Sequence, residues 1–360
     1  MSNTPNALIS SAVQILENIA LAPYTTLKVG GLARYFIEAS TEADILEAMA
    51  YAREHSLEVF VLGGGSNLVI SDSGWPGLVL KISIGGISTA EQDGKVLFTA
   101  GAGENWDDLV AYSVEQNCAG IECMSGIPGT VGGTPVQNVG AYGQEVAETI
   151  TIVRVLDTAA NEIGEMSNRE CGFYYRTSIF NSSQKGRYIV TQVSYALSPG
   201  GAPRVEYSDL KRYFESANAA PNLPRVRAAV RSIRASKAML ITPHDEDSRS
   251  AGSFFKNPVL SEDQHQDLQR RAAGKGLAVP SYPALERNRK VSAAWLVEHA
   301  GFSRGYNLGH AGISSKHALA IVNRGGATAA EILALKDQIQ SRVEEVWGIQ
   351  LQPEPVFVGV

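Results

Sequence analysis

Residues 123–144 read CMSGIPGTVGGTPVQNVGAYGQ, with six glycines, two prolines and no charged side chain. Two readings compete for this stretch. As a surface loop it offers water few polar groups, while Ile127, Val131, Val136, Val139 and Tyr142 favour burial. As a buried loop it must satisfy its backbone N–H groups somewhere. Glycine tolerates φ > 0 and lets the backbone approach a ligand closely. Successive inward N–H groups form an anion cradle that needs no lysine or arginine. A large ligand carrying a pyrophosphate and a flat ring fits such a wall.

Upstream, residues 59–62 (VFVL) predict a short buried strand running into Gly63-Gly64-Gly65-Ser66-Asn67, with extended structure resuming over 68–71. This turn is a second source of N–H donors. It is not a dinucleotide fingerprint, because Leu68 stands where the third glycine belongs and no helical pattern follows. No Gly-Lys-Ser/Thr completes a P-loop. Thr41 predicts a helix cap over 41–55, with Ile45, Leu46, Met49 and Ala50 on one face. Ile9, Val13, Leu16 and Ile19 predict a helix within 1–22 by their spacing.

From 78 to about 220, short strands at 96–99, 151–156 and 188–197 predict an α+β region with a mixed or antiparallel sheet. The turn-rich SPGGAP at 198–203 breaks the pattern. Beyond it the sequence predicts an amphipathic helix over 226–239, another around Trp295, and a buried strand over 318–322. Thr328 then caps a long helix over 329–346 bearing Ile332, Leu335, Ile339 and Val343, and a short strand broken by Pro353 and Pro355 ends the chain.

At 360 residues the chain suits two or three domains. Hydrophobic residues at 44% and charged ones at 19% suit a globular enzyme rather than a disordered chain. A net charge of -6 argues against general nucleic-acid binding. No apolar run approaches a membrane span, so membrane insertion is not expected. The start of the chain shows no signal peptide, and the odd set Cys118, Cys123 and Cys171 fits no disulfide framework, which predicts a cytoplasmic protein. The six histidines form no metal-binding spacing, so no metal site is expected.

Charge is concentrated at Arg225, Arg227, Arg231, Arg234 and Lys237, with no acid between Pro221 and His244. Either a solvated helix face or a diphosphate-binding surface accounts for it. Ser253 in AGSFFKNP (251–258) is open to reading as a turn hydroxyl or a reactive one, and no Gly-x-Ser-x-Gly surrounds it. Arg176 follows Tyr174-Tyr175, and Glu354 is aimed by Pro353 and Pro355 on either side.

In order along the chain, TTLKVGG (25–31), LGGGSNLVISD (62–72), SGIPGTVGGTPVQNVGAYG (125–143), YYRTSIF (174–180), AGSFFKNP (251–258), HALAIVN (317–323) and QPE (352–354) resemble the UDP-N-acetylenolpyruvoylglucosamine reductase family. Those flavoenzymes complete UDP-N-acetylmuramate for bacterial peptidoglycan. The resemblance implies an α+β protein: a vanillyl-alcohol-oxidase-type FAD-binding fold in two subdomains plus a C-terminal α/β substrate-binding domain. The expected divisions are 1–78, with 349–360 a candidate returning strand, then 79–222 and 223–348.

It further implies non-covalent FAD held by Gly63, Gly64, Gly65, Ser66, Asn67, Ser125, Gly126, Ile127, Pro128, Gly129, Gly132, Gly133, Asn138, Gly140, Ala141, Tyr142 and Gly143. The catalytic set falls on Ser253, Arg176 and Glu354, and the substrate-binding set on Tyr175, Tyr207, Lys237 and Asn257. Tyr207 is the counterpart of a substrate-covering tyrosine in one subclass. NADPH is the implied co-substrate and a UDP-sugar the implied substrate. Two rivals remain at this point. A sugar oxidase of the same flavin fold is one, although no histidine between 55 and 244 is available for a covalent flavin link. A non-catalytic UDP-sugar binder is the other, and it has no need of the Ser253, Arg176 and Glu354 trio.

Overall fold

The computed structural model describes residues 13–360. A four-stranded sheet opens the chain in the order Leu16–Ala20, Leu32–Ala39, Trp75–Ile82, Val59–Leu62. The last three run parallel and the first antiparallel. Helix α1 (Glu42–Glu54) follows the second strand. Thr41 and Asp44 exchange hydrogen bonds in a capping box at its start. Its buried face is Ile45, Ala48 and Ala52, while Ala50 is exposed, so the predicted stripe is rotated by part of a turn.

The predicted helix within 1–22 is a strand where it is described, and its start lies outside the described residues. Asn18 takes φ +56, which turns the strand so that Leu16 and Ile19, three residues apart, both pack on Phe36, Leu62 and Val79. That left-handed residue reproduces a helical spacing without a helix.

The second sheet is antiparallel: Glu162–Ser167, Ile150–Asp157, Tyr188–Pro199, Lys95–Gly101, Ile87–Gln92. Helix α2 (Trp106–Glu115) crosses beside it, capped by Asn105. Both sheets share one core, in which Ile37 and Leu80 from the first meet Phe98, Val153 and Tyr195 from the second. Trp106 is fully buried there, and its indole N–H donates to the Met124 carbonyl at 3.1 Å, fixing the entrance of the glycine-rich loop.

Helix α3 (Ser208–Ala217) and helix α4 (Leu223–Ser236) follow. The cap at Asn222 starts α4 three residues earlier than the apolar spacing predicts. Leu210, Phe214, Val226, Ala229 and Val230 bury against Cys123, so α4 packs on the second unit and the expected division at 222/223 does not follow the packing.

Helices α5 (Glu262–Ala273), α6 (Ala293–His299) and α7 (Ala329–Trp347) build the third unit with two small antiparallel sheets. The α7 stripe of Ile332, Leu335, Ile339, Val343 and Trp347 is buried, each side chain contributing about 1.5–3 kcal/mol. The strand predicted at 318–322 is Ile321–Asn323, because Ser314 and Ala320 close a turn just before it. Leu27, Val29 and Val69 from the first unit complete this core. The C-terminal strand Val356–Val358 lies parallel to Leu68–Ile70, which brings the end of the chain back beside the glycine turn. Among the described residues no helix is long and apolar enough to cross a membrane.

Candidate active site

The two glycine-rich stretches meet face to face. A Cβ on Gly64 would lie 2.5 Å from the Gly129 Cα, and one on Gly63 3.2 Å from the Thr130 hydroxyl, so their backbones approach closely only as glycines. On one side of this seam is a cleft of about 430 Å³ lined by Gly64, Gly126, Ile127, Pro128, Gly129 and Arg231. On the other is a cleft of about 830 Å³ lined by Gly63, Gly132, Gly133, Phe180, Val190 and Phe357. Thr130 borders both. Each falls in the range of ligand-binding clefts.

The amide cradle is uneven. Among the described residues, no protein acceptor takes the backbone N–H of Gly64, Gly65, Ser66, Asn67, Gly129 or Thr130. The rest of the 125–143 loop corrects the expectation of a second continuous cradle. Gly126 N–H donates to the Asp107 carboxylate at 2.6 Å, Val131 N–H to the Glu104 carbonyl and Gly132 N–H to the Ala102 carbonyl, both at 2.9 Å. A loop packed this deeply must satisfy its amides within the protein.

Ser125 is fully buried, with its hydroxyl on the Glu122 carbonyl. The Asn138 amide is fully engaged too, donating to Glu145 and the Tyr174 carbonyl and accepting from Ala147 N–H. These two side chains hold the wall rather than face a ligand. Gly143 turns at φ +90, and Gly140 and Ala141 pair with Gln144 and Glu145 in a small hairpin.

The Thr130 hydroxyl is buried with no hydrogen-bond partner. An orphaned donor beside six unclaimed amides is the mark of a site that a polar, anionic group completes. The flavin nucleotide expected from the sequence fits this donor set.

The basic run finds neither of its two predicted uses in simple form. Arg227 (2.5 Å) and Arg231 both pair with Asp107. Burial pushes the Asp107 carboxyl up, but Arg227, the Gly126 N–H and Arg231 outweigh it and hold it below the ordinary range. Arg231 lines the cleft together with Asp107 and Asp108, so the cleft gains no excess of positive charge from this pair.

Arg176 sits in a tight turn in which Tyr174 and Thr177 exchange backbone hydrogen bonds, and it takes φ +54. Asn138 and Asn181 hold the carbonyls of this turn. The Arg176 guanidinium donates to the Gly140 carbonyl at 2.5 Å and lies 3.3 Å from Glu354 Oε1. Burial raises the Glu354 carboxyl above the ordinary range against the opposing pull of Arg176 and Lys256. The Glu354 backbone is pinned as well. Its N–H donates to the Phe254 carbonyl at 2.9 Å, and its carbonyl accepts from the Asn67 amide at 3.1 Å and from Gln137 at 3.3 Å.

Ser253 directly precedes that Phe254. Phe254 and Phe255 are buried in the third core, and Phe254 N–H donates to the Leu319 carbonyl at 2.7 Å. These anchors leave Ser253 half-buried beside the segment that carries Glu354. Three segments distant in sequence thus converge beside the glycine turn.

The Arg176 guanidinium lies 5.1 Å and Lys290 Nζ 4.4 Å from the centre of the Tyr175 ring. Asn257 accepts from Ala293 N–H at 2.9 Å. Tyr207, half-exposed, meets Tyr142 edge to face at 5.4 Å. Lys237 pairs with Asp209 at 2.6 Å and, among the described residues, forms no hydrogen bond or ion pair with Ser253, Arg176 or Glu354. It does face His317, which burial and the nearby Lys237, Arg304 and Arg234 push down to about 4. Thr130, Asp107, Gln137, Lys256 and Lys290 were not singled out by sequence reading. Thr130 and Gln137 lay inside the quoted loop and Lys256 inside the quoted AGSFFKNP stretch, whereas Asp107 and Lys290 carry no local signal.

Comparison with known proteins gives this arrangement a lineage. Residues 33–166, spanning parts of both sheets and both glycine stretches, match a profile described as an FAD binding domain. Residues 243–358 match one described as UDP-N-acetylenolpyruvoylglucosamine reductase, C-terminal domain. The chain is 43% identical to the UDP-N-acetylenolpyruvoylglucosamine reductase of Thermobifida fusca over 96% of its length and 98% of that relative. It is 41% identical to that of Mycobacterium tuberculosis over 97% and 96% of the two. The crystal structure of the Thermus caldophilus enzyme superposes with a TM-score of 0.65 at 26% identity, covering 96% of this chain and 99% of that one. With both halves matched in one chain and the relatives covered almost end to end, the protein belongs to the UDP-N-acetylenolpyruvoylglucosamine reductase family.

Proposed function

We propose that the chain is an NADPH-dependent flavoenzyme that reduces the enolpyruvyl group of UDP-N-acetylglucosamine-enolpyruvate to UDP-N-acetylmuramate, a step of peptidoglycan precursor synthesis. The observation that carries the reading is the Arg176–Glu354 pair, whose backbone is hydrogen-bonded to the residue after Ser253. FAD, when bound, carries hydride from NADPH to the substrate. The open amides of 64–67, Gly129 and Thr130, with the Thr130 hydroxyl, are the groups that would hold it.

Hydride arriving at the substrate β-carbon moves an electron pair toward the α-carbon and the adjoining carboxylate. Arg176 is placed to meet that charge with a planar cation. Glu354, with its carboxyl raised by burial, retains a proton more readily than an exposed glutamate and donates a hydrogen bond to the same carboxylate. Ser253 gives its hydroxyl proton to the α-carbon, a role that depends on close approach because a hydroxyl is a weak acid. Tyr175, Asn257, Tyr207 and Lys237 bind the sugar nucleotide. Small charged substrates and three buried free thiols suit the cytoplasm.

Ser253→Ala tests the assignment. Flavin reduction by NADPH should persist in stopped-flow absorbance, while reoxidation by the enolpyruvyl substrate slows by about 10²–10³. An equal loss in both half-reactions makes Ser253 structural.

A further inference from the structure

We propose, resting on the functional reading above, that Thr26 is a positioning residue whose hydroxyl fixes the Ser253 segment against the glycine turn at 63–67. Thr26 stands where the chain passes from one core to another. Leu21 and Tyr24 before it pack in the core of the first sheet, and Leu27 and Val29 after it are buried in the third core. Asn323 holds this crossing from the third unit, its amide donating to the Leu27 and Lys28 carbonyls at 3.1 and 3.2 Å.

Thr26 is hydrogen-bonded to both sides. Its N–H donates to the Gly65 carbonyl at 3.1 Å, and its hydroxyl donates to the Ser250 carbonyl at 2.6 Å. The Ser66 carbonyl lies farther from the same hydroxyl, at 3.4 Å, and a single O–H proton goes to the nearer acceptor. Ser250 also bridges to Val322, and Asn323 N–H donates to the Arg249 carbonyl at 2.9 Å. Four residues on from Ser250, Phe254 N–H is held by the Leu319 carbonyl. Between these anchors lie only Ala251, which is buried, Gly252, which turns at φ +76, and Ser253. A span this short, fixed at both ends, carries Ser253 wherever its anchors sit.

The same turn holds Glu354, because the Asn67 amide donates to the Glu354 carbonyl. The turn whose own amides face the cleft is therefore the common reference for two of the three reacting side chains, through Thr26 for Ser253 and through Asn67 for Glu354. Proton transfer from a hydroxyl to carbon has a narrow tolerance, since a displacement of about 1 Å can cost about 10²-fold in rate.

The test compares Thr26→Val, which keeps the shape and removes the donor, with Thr26→Ser, which keeps the donor. Stopped-flow absorbance follows the two half-reactions separately. Thr26→Val should keep its flavin and its reduction by NADPH, while reoxidation by the enolpyruvyl substrate slows by about ten- to a hundredfold. The loss should fall on the maximal reoxidation rate, with the half-saturating substrate concentration moved by less than about threefold. Thr26→Ser should restore most of the lost rate. In a Ser253→Ala background Thr26→Val should slow reoxidation no further, because the group it positions is already gone.

Reoxidation of Thr26→Val at the wild-type rate, or losses that multiply in the double variant, overturns the proposal. Thr26 also lines the smaller cleft, so release of flavin with both half-reactions lost makes it a support of the cofactor site and overturns the proposal as well. Should Thr26→Val fail to fold, Thr26→Ser and Thr26→Ala differ only in the hydroxyl and carry the same comparison. A wild type that the enolpyruvyl substrate does not reoxidise refutes the functional reading. A wild type that it does reoxidise, beside an equally fast Thr26→Val, refutes the positioning role alone.

Discussion

The turn 63–67 and the loop 125–143 are both rich in glycine, and they use it for opposite ends. The turn leaves a strand and ends at the cleft, so its amides from Gly64 to Asn67 point at nothing in the protein. The loop winds through the core, and Gly126, Val131 and Gly132 give their amides to Asp107, Glu104 and Ala102. Glycine content therefore reports close backbone approach in both places but free donors mainly in one. Burial depth decides which.

Substitutions at the two stretches should separate these uses. The largest effect is expected at Gly65, where φ is +65 and a Cβ would lie 1.9 Å from the Tyr24 carbonyl oxygen. Gly65→Ala should cost about 3 kcal/mol or more of stability in thermal unfolding, and the purified protein should lose its yellow colour. Gly133→Ala is the counterpart, because no atom lies within 4 Å of its Cβ. It should shift stability by less than about 0.5 kcal/mol and weaken flavin binding by intruding on the larger cleft. Equal behaviour of the two variants would contradict the contrast.

Asp107→Asn comes next, at about 1.5–3 kcal/mol, because it uncouples the Gly126 N–H from Arg227 and Arg231. The folded Asp107 carboxyl titrates below its unfolded value, so its contribution is present above the unfolded pKa and is lost as pH falls through the folded one. Denaturant titrations should accordingly show the deficit of the Asn variant shrinking below pH about 4.

Thr130→Val should be milder and of opposite sign in the two forms. Removing an orphaned buried hydroxyl should leave the apoprotein unchanged or up to about 1–2 kcal/mol more stable, while flavin affinity falls. A loss of apoprotein stability in calorimetry would mean the hydroxyl already has a partner.

The subtlest is Glu354→Gln. Since burial raises the folded Glu354 carboxyl, its favourable contribution is present below the unfolded pKa and is lost as pH rises through the folded value. Wild type should therefore gain stability over the Gln variant as pH is lowered from neutral toward about 4. A difference in Tm that stays flat with pH would argue against a buried, perturbed carboxyl.

Much of the fold was legible. Thr41 and Thr328 cap the helices they were expected to cap, and the strand at 59–62 matches its predicted limits. Each depends on residues within about four positions, where propensity and capping act. Helices α2, α3 and α5 went unread, and the first strand passed for a helix because Asn18 reverses the pleat. At the site, the motifs named Arg176, Ser253 and Glu354, yet not what the basic run does.

Local order along the chain decided most of the elements, the glycine stretches and which side chains are candidates for reaction. Only the folded arrangement decided that Asp107 holds Gly126, that Arg176 meets Glu354, and that Asn67 reaches the Glu354 carbonyl across 287 positions. The reason is physical: side-chain types and turn preferences are short-range properties, whereas the partner of a buried donor is whichever acceptor packing brings within about 3 Å.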